Sequence, residues 1–277
     1  LTERLLGLKL SLEEVMELLL SMRMEPRPLG NRRLEVRYPY YRLDILHPVD
    51  IAEEIAMAYG YDRIEPEPLP PKHPGREHPM EVFTRVVREA MVGLGFTEVN
   101  NYMMTNRRLM FELMNVPEQP IVEVENPRHE AYQALRTWIS PQLLSVLASS
   151  KHAGYPQRIF EAGDVVIPDE SSENLTREER HLAFAIAGRG TTLTSGLSAL
   201  RGLAVLLGVE FRLAPLEHPS LIPGRAARVI ACGEECGFIG EVHPSVLVNF
   251  GLEVPVVICE LVLDKVRLCH LSRRGSS

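Results

Sequence analysis

A run of prolines divides this chain and limits what its two parts can fold into. Residues 65–79 contain six prolines, at positions 66, 68, 70, 71, 74 and 79. Proline lacks a backbone N–H and its ring clashes with the preceding helical turn, so no helix crosses such a stretch. The sequence therefore predicts a linker over residues 67–79, a small domain over 1–66 and a larger one over 80–270.

The first part has the pattern of a small helical domain. Ser11 and Glu14 have the spacing of a capping box, and apolar residues then recur at helical intervals. Residues 34–38 alternate as a strand does, an extended stretch follows to near Ile45, and a helix over 49–59 ends at Gly60. This order of helix, strands and helix indicates a winged-helix-like shape.

The larger part predicts more strands than helices. An amphipathic helix over 80–94 leads into a strand over 96–104, and residues 171–180 form a polar loop. Further strands are expected at 121–124, 158–167, 181–188, 228–241 and 256–262, and helices at 141–151 and 197–207. This order predicts an α+β fold with a largely antiparallel sheet. Residues 271–277 are predicted to be a disordered tail.

The length, composition and net charge of the chain exclude several classes of protein. With 277 residues, 45% of them hydrophobic, the chain is long enough for a sizeable core, and its apolar runs are too short to span a membrane. A formal net charge of −7 argues against a surface that grips nucleic acid throughout. No export signal follows Leu1, and four cysteines are too few for a disulfide scaffold, so we expect a soluble, cytoplasmic protein without a membrane partner.

Four carboxylates lie around the start of the second predicted helix. Asp50, Glu53 and Glu54 occupy its first turns, and Asp44 lies on the segment before it. Oxygen ligands in this number suit Mg²⁺. Acidic side chains at a helix amino terminus also cap it and complement its dipole, which is the alternative reading. The same carboxylates have the wrong sign for a DNA-recognition helix.

Several motifs carry a resemblance to a known family. The run from Asp44 to Asp62, DILHPVDIAEEIAMAYGYD, is similar to the small domain of phenylalanine–tRNA ligase β subunits, and its HPVDIAEE form resembles the archaeal and eukaryotic branch. The resemblance continues through nearly the whole chain and corresponds to the carboxyl-terminal portion of that subunit. Further matching segments are GLGFTE at 93–98, LRT at 135–137, FEAGDV at 160–165 and GFIGEVHP at 237–244.

The resemblance implies a division of roles. In that family Asp44, Asp50, Glu53 and Glu54 correspond to magnesium ligands, and the second domain is a class II aminoacyl-tRNA synthetase-like module without catalytic residues. The catalytic α subunit of an α₂β₂ assembly binds ATP and phenylalanine, and tRNA(Phe) is met through the complex. The editing domain of the family lies in the amino-terminal half of the subunit, so editing is not expected here.

One departure from catalytic relatives supports a non-catalytic module. Those relatives continue the strand that resembles residues 158–165 to an Arg-x-Glu, whereas this chain has Ile167-Pro168-Asp169. A class II enzyme needs such arginines to hold the phosphate of its adenylate. We therefore expect no catalytic residue and no cofactor-binding residue in the second domain, and we expect helix 80–94 with strand 96–104 either to contact the α subunit or to form core.

Other readings remain open at this stage. One alternative is a stand-alone ATP-dependent enzyme that activates a carboxylate, and another is a nucleic-acid-binding module that uses the pairs Arg107-Arg108 or Arg273-Arg274. A zinc site at Cys232 and Cys236 lacks a second close pair of ligands. Arg136 could line a remnant of a catalytic pocket or form a structural ion pair.

Overall fold

The chain forms two compact units that divide between Gly75 and Arg76. The computed structural model describes residues 1–30, 33–66, 68–69 and 75–274. The division lies inside the proline-rich stretch, and residues 67 and 70–74 of the predicted linker lie outside the described residues. Each unit is therefore described by itself.

Unit 1 (Leu1–Gly75) packs three helices against a two-stranded ribbon. Its core consists of Leu19, Met24, Ile45 and Ile55. The capping box is confirmed, since the Ser11 N–H donates to Glu14 Oε2 at 2.7 Å and the Glu14 N–H donates to Ser11 Oγ at 3.2 Å. The elements are α1 (Thr2–Leu6), α2 (Leu12–Ser21), β1 (Glu25–Pro28), β2 (Leu34–Arg37) and α3 (Pro48–Tyr59), followed by a 3₁₀ turn (Tyr61–Arg63).

Two segments of unit 1 differ from the sequence prediction. β1 was not expected, because two of its four residues are prolines, yet it pairs with β2 along its whole length. The Leu29 N–H, just past β1, donates to the Arg33 carbonyl at 2.9 Å. The stretch expected to be extended up to Ile45 contains turns instead, because the Arg42 N–H donates to the Pro39 carbonyl at 3.0 Å.

Unit 2 is built on a seven-stranded sheet in the order β3-β6-β7-β11-β10-β9-β8. Every pairing in it is antiparallel except the short parallel contact of β3 with β6, so the sheet is mixed and the predicted α+β class is confirmed. The elements are α4 (Pro79–Gly93), β3 (Thr97–Glu98), β4 (Met104–Thr105), a π-helix (Arg108–Glu112), β5 (Ala134–Leu135), α5 (Ser140–Ser149), a 3₁₀ turn (Lys151–Ala153), β6 (Gln157–Pro168), β7 (Thr176–Ala187), α6 (Leu193–Leu207), β8 (Phe211–Pro215), β9 (Leu221–Ala231), β10 (Glu234–Val242), α7 (Pro244–Asn249), β11 (Val256–Val262) and α8 (Leu263–Arg274).

Both faces of this sheet are covered. Helices α4, α6 and α8 pack on one face, where Phe160 and Phe184 are fully buried. Helix α5 packs on the other face through Leu143, Leu144 and Leu147. We call the second of these the α5 face. It carries the polar cluster described below.

Several strand predictions need correction. The expected strand over 96–104 is reduced to two short strands, β3 and β4, and residues 121–124 contribute only an isolated bridge at Glu123. The expected strand over 228–241 is a hairpin, since Cys232 and Gly233 adopt positive φ angles of 50° and 88° and reverse the chain. A two-residue turn of this type joins antiparallel strands, which periodicity alone does not reveal.

The polar segment 171–180 and the tail also differ from expectation. β7 begins at Thr176, because its polar residues extend the β6–β7 hairpin beyond the core, so only residues 171–175 form a loop. Helix α8 continues to Arg274, where disorder was predicted; residues 275–277 lie outside the described residues. No helix in the described part of the chain is long and apolar enough to cross a membrane.

One disulfide was not expected from the cysteine count. Cys232, in the β9–β10 turn, is bonded to Cys269 on α8, with 5.7 Å between their Cα atoms. Cys236 and Cys259 are free and buried. The cysteines were judged too few for a scaffold, but a single bond between two elements needs only two of them.

Candidate functional site

Two of the predicted acidic residues of unit 1, Asp44 and Glu54, are paired with one arginine. The Arg42 Nε donates to Asp44 Oδ1 at 2.9 Å and its Nη2 donates to Asp44 Oδ2 at 2.6 Å. The same guanidinium donates through Nη1 to Glu54 Oε2 at 3.3 Å and through Nη2 to Glu54 Oε1. Arg42 therefore bridges a loop carboxylate and a helix carboxylate. The four carboxylates Asp44, Asp50, Glu53 and Glu54 are called the acidic group below.

The other two members of the acidic group face elsewhere. Asp50 caps α3, since its Oδ2 accepts from the Leu46 N–H at 2.8 Å and from the His47 N–H at 2.7 Å. Glu53 is exposed, whereas its neighbour Glu54 is buried. Adjacent helical residues point about 100° apart, so Glu53 and Glu54 do not lie on one side of α3. The capping reading of Asp50 is confirmed.

The electrostatics of the bridge agree with its geometry. Hydrogen bonding from Arg42 holds the pKa of Asp44 below its usual value. Hydrogen bonding to Asp44, and then to Glu54, raises the pKa of Arg42 above its usual value. Both shifts favour the charged forms, so this is an ion pair rather than a neutral contact.

In this arrangement the acidic group does not fit a magnesium ion. Mg²⁺ needs carboxylate oxygens in a near-octahedral shell, and here Asp44 and Glu54 both turn their oxygens to a guanidinium while Asp50 Oδ2 caps a helix. No group of three or more His, Cys, Asp or Glu side chains in the described ranges is placed to hold a metal ion. The magnesium site at Asp44, Asp50, Glu53 and Glu54 stays a prediction.

In unit 2 an arginine is buried on the α5 face of the sheet. Arg136 is 2% exposed, and its Nη1 donates to Glu161 Oε1 and to Gln142 Oε1, both at 2.7 Å. Its Nε donates to the Asp164 carbonyl at 2.9 Å. The other Glu161 oxygen accepts from the Asn101 amide at 2.6 Å. The sequence left open whether Arg136 lines a remnant of a catalytic pocket or forms a structural ion pair. In the structure it forms the ion pair.

A second buried carboxylate lies two strands away from Glu161. Glu161 on β6 and Glu260 on β11 are both register partners of Ala183 on β7, so they flank one small residue. Glu260 accepts from the Ile139 N–H at 2.8 Å and from the Ser140 N–H at 2.9 Å, at the start of α5. Its contacts therefore join the sheet to that helix.

Glu260 also shares a histidine with Glu179. His181 Nδ1 lies 2.8 Å from Glu260 Oε1 and its Nε2 lies 3.2 Å from Glu179 Oε2. Burial alone would lower the pKa of His181, but the two carboxylates outweigh it and raise that pKa to about 9. The hydrogen bond from His181 lowers the pKa of Glu179 to about 2. His181 is therefore a protonated, doubly paired side chain at neutral pH.

Arg136 is recognisable in the sequence as a candidate, but its partners are not. Glu161 and Glu260 each stand alone in an apolar run, Phe160-Glu161-Ala162 and Cys259-Glu260-Leu261. A single acid inside a strand buried on both faces has to be paired, because an isolated buried charge is very unfavourable. That signal was present in the sequence. The identity of the partners was not, since Arg136 and His181 are brought there by the fold.

Helix α4, the expected contact with a partner, divides into two faces. Met80, Phe83, Val87 and Met91 are buried in unit 2, so most of its apolar stripe is core. Val82, 40% exposed, and Val86, 37% exposed, lie one turn apart on the outer side. The apolar stripe is therefore core, and the exposed valines of α4 that remain for an interface are Val82, Val86 and Val92, the last of them 58% exposed.

The cysteines and nearby histidines form no zinc site in the described part of unit 2. Cys232 is in the disulfide, and the Cys236 thiol donates to the Val229 carbonyl at 3.4 Å. His218 stacks on Phe238 with ring centroids 5.7 Å apart, and burial lowers its pKa. These side chains serve packing.

Comparisons with known proteins place the chain in a family. Residues 1–61 match the tRNA synthetase B5 domain, and residues 66–263 match the phenylalanyl-tRNA synthetase beta chain CLM domain. The chain is 66% identical over 273 residues to a phenylalanine–tRNA ligase beta subunit of Thermofilum pendens, covering 99% of this chain and 49% of that protein. It is 44% identical to the subunit of Pyrococcus horikoshii over 94% of this chain, and 42% identical to that of Pyrococcus furiosus over the same share, with 47% of each relative covered.

The chain thus spans about half the length of these archaeal relatives. The two family matches divide near residue 65, close to the division between the two units. The family matches confirm the resemblance found in the sequence, over residues 1–61 and over residues 66–263. The chain belongs to the phenylalanyl-tRNA synthetase β chain family.

Proposed function

We propose that this chain is the part of a phenylalanine–tRNA ligase β subunit that supports, and does not perform, the attachment of phenylalanine to tRNA(Phe). The observation that carries this proposal is the closed α5 face of unit 2. Arg136 and Glu161 are each 3% exposed in their side chains, and Glu260 is also buried. The charged side chains buried on this face are paired with other protein groups and are not free to bind a substrate.

The chemistry of adenylate formation argues in the same direction. Activating a carboxylate with ATP requires arginine donors that are free to hold phosphate oxygens as charge develops on them. Arg136 directs its donors to Glu161, Gln142 and a main-chain carbonyl. β6 ends at Ile167 and Pro168, which offer no cationic side chain. We therefore assign no catalytic residue to this chain.

The remaining roles follow from the family. Catalysis, with the binding of ATP and phenylalanine, is assigned to an α subunit in an α₂β₂ assembly, and tRNA(Phe) is met through that complex in the cytoplasm. Mg²⁺ is proposed as the ion that accompanies ATP in the complete enzyme, where it neutralises phosphate charge. The family motifs support a winged-helix-like unit 1 and a class II synthetase-like, non-catalytic unit 2.

The outer side of α4 is the proposed contact with the α subunit. Val82 and Val86 form an exposed apolar pair on a helix whose opposite side is anchored in the core. Anchored apolar side chains of this kind lose little freedom on association. Substituting both by aspartate should weaken α binding, because the charges would have to be desolvated.

Co-expression with a cognate α subunit tests the proposal. Three chains are compared: the wild type, the Val82→Asp/Val86→Asp variant, and a Val205→Asp control on α6, where the valine is 80% exposed. Co-purification, phenylalanine-dependent tRNA charging and ATP–pyrophosphate exchange are measured for each complex and for each chain alone. We expect the wild type and the control to bind α, the double variant to bind it weakly, and every chain to be inert without α.

The outcomes separate the possible errors. Pyrophosphate exchange by this chain alone would contradict the scaffold role and favour a stand-alone activating enzyme. Failure of the wild-type chain to bind α would mean that the half of the relatives outside the match carries the contact. Equal binding by the wild type and the double variant would move the interface away from α4 and leave the scaffold role intact.

A further inference from the structure

Unit 1 already contains a cation among its acidic side chains. The Arg42 guanidinium contacts both oxygens of Asp44 and both oxygens of Glu54. The Arg42 side chain is 24% exposed, that of Glu54 is 4% exposed and that of Asp44 is 60% exposed. The bridge thus runs from the surface of the unit to a buried carboxylate.

The buried end of the bridge is the one that needs compensation. Glu54 lies on the inner side of α3 beside Ala52, Ile55 and Ala56, all buried. A carboxylate in such surroundings must be paired and hydrogen-bonded, or it strongly destabilises the fold. Within the described ranges, the ion pair found for Glu54 is with Arg42. The charge of Glu54 is therefore balanced by a side chain of the same unit.

The position of Arg42 conflicts with a metal ion on the same oxygens. A divalent cation bound to Asp44 and Glu54 would occupy the space between them that the guanidinium fills. Two positive centres within a few ångströms repel each other, and both would draw on the same four oxygens. The family-based expectation of Mg²⁺ and the geometry of this chain therefore disagree.

We propose that Arg42 takes the place of a divalent cation in unit 1, so that Asp44 and Glu54 are held together without Mg²⁺. Arg42 fastens the loop before α3 to Glu54, while Asp50 fastens the same loop through the Leu46 and His47 amides. The loop is thereby fixed at two points. This inference concerns the integrity of unit 1 and is independent of the proposed function.

Hydrogen exchange of the intact chain, followed by mass spectrometry of peptides that cover residues 38–59, tests the proposal. Exchange is compared in EDTA and in Mg²⁺, with ionic strength matched by sodium chloride. The variants are Arg42→Met, which removes the charge, and Arg42→Lys, which keeps the charge but loses the planar guanidinium that donates to two carboxylates at once. Arg37→Met is the matched control, since Arg37 is an exposed arginine of the same unit paired only loosely with Glu35 at 3.9 Å.

We expect wild-type exchange in this region to be the same with and without Mg²⁺. In EDTA, Arg42→Met should exchange about a hundredfold faster there, because a buried carboxylate has lost its partner. Mg²⁺ should restore part of that protection in a saturable way, since the carboxylates are then vacant. Arg42→Lys should be intermediate, and Arg37→Met should behave as the wild type.

Three results would overturn the proposal. Saturable protection of wild-type residues 38–59 by Mg²⁺ would mean that the metal binds with Arg42 in place. Wild-type protection of Arg42→Met in EDTA would mean that the guanidinium is not needed. Absence of any Mg²⁺ response in Arg42→Met would mean that the guanidinium does not occupy a cation position. If Arg42→Met does not fold, Arg42→Lys and the wild type still decide the question.

Discussion

At the scale of single residues, four buried charged side chains form a network on one sheet face of unit 2. Glu161, Glu260 and His181 each make at least two polar contacts, and Arg136 makes three. Removing one partner of such a network leaves an uncompensated buried charge. This destabilises the fold by more than the ion pair stabilises it. The following two predictions concern this network.

Gly163→Ala should destabilise unit 2. An added Cβ at Gly163 would lie 2.4 Å from Arg136 Nη2, and Arg136 cannot move away without losing its bonds to Glu161 and Gln142. Overpacking of this kind costs about 1–3 kcal/mol. The free energy of unfolding in denaturant measures it.

Gly190→Ala is the matched control, because nothing lies within 4 Å of its added Cβ. That change should be neutral or slightly stabilising, since alanine restricts the unfolded chain. A Gly163→Ala variant as stable as Gly190→Ala would mean that Arg136 has room to shift.

His181 should make the stability of unit 2 depend on pH. The pKa of His181 in the folded state is about 9, above the usual 6.5. The stability that protonated His181 contributes to the fold is therefore fully present below pH 6.5 and is lost as the pH rises through 9. The free energy of unfolding should fall by up to about 3 kcal/mol between those values. His181→Gln should remove most of this slope. A slope of equal size in that variant would assign the effect to another group.

At the scale of elements, packing and strand pairing determine where helices and strands begin and end in places where sequence periodicity does not reveal it. Helix α3 was predicted to within a residue, because an apolar stripe, an N-terminal proline and Gly60 all mark it. The β9–β10 turn was missed, because Cys232 and Gly233 lie in a run that reads as one strand. Helix α8 was missed because its mean character is polar, and among its described side chains only Leu263, Val266, Cys269 and His270 are buried.

The link between the β9–β10 turn and α8 gives a prediction for these elements. The disulfide of Cys232 and Cys269 closes a loop of 37 residues. A loop of that length corresponds to about 3–4 kcal/mol of stabilisation in the chain-entropy account. Thermal unfolding of unit 2 should therefore occur at lower temperature after reduction or in Cys269→Ser.

Cys259→Ala provides the control for the disulfide, since Cys259 is a free, buried thiol. That variant should respond to reductant as the wild type does, although the cavity lowers its baseline stability. Equal midpoints with and without reductant in the wild type would show that the bond contributes nothing.

At the scale of the whole molecule, charge is paired within the chain. Surface arginines such as Arg85, Arg88 and Arg107 lie 2.7–2.8 Å from glutamates. Arginines held in this way release few counterions on meeting RNA, which agrees with the net charge of −7 and with the proposal that tRNA is met through a complex. The family was readable from motifs. The pairing of Arg136 with Glu161 and of Arg42 with Glu54 was not readable, because these partners are 25 and 12 residues apart in the sequence.

The prolines of β1 have a consequence for how copies of this protein behave at high concentration. Backbone amides alternate in direction along a strand, and the Leu29 amide points to β2, so positions 26 and 28 point away from it. Both of those positions are proline and offer no donor. The outer edge of β1 therefore lacks the N–H donors that a further strand would pair with, which protects this edge of the ribbon from edge-to-edge association.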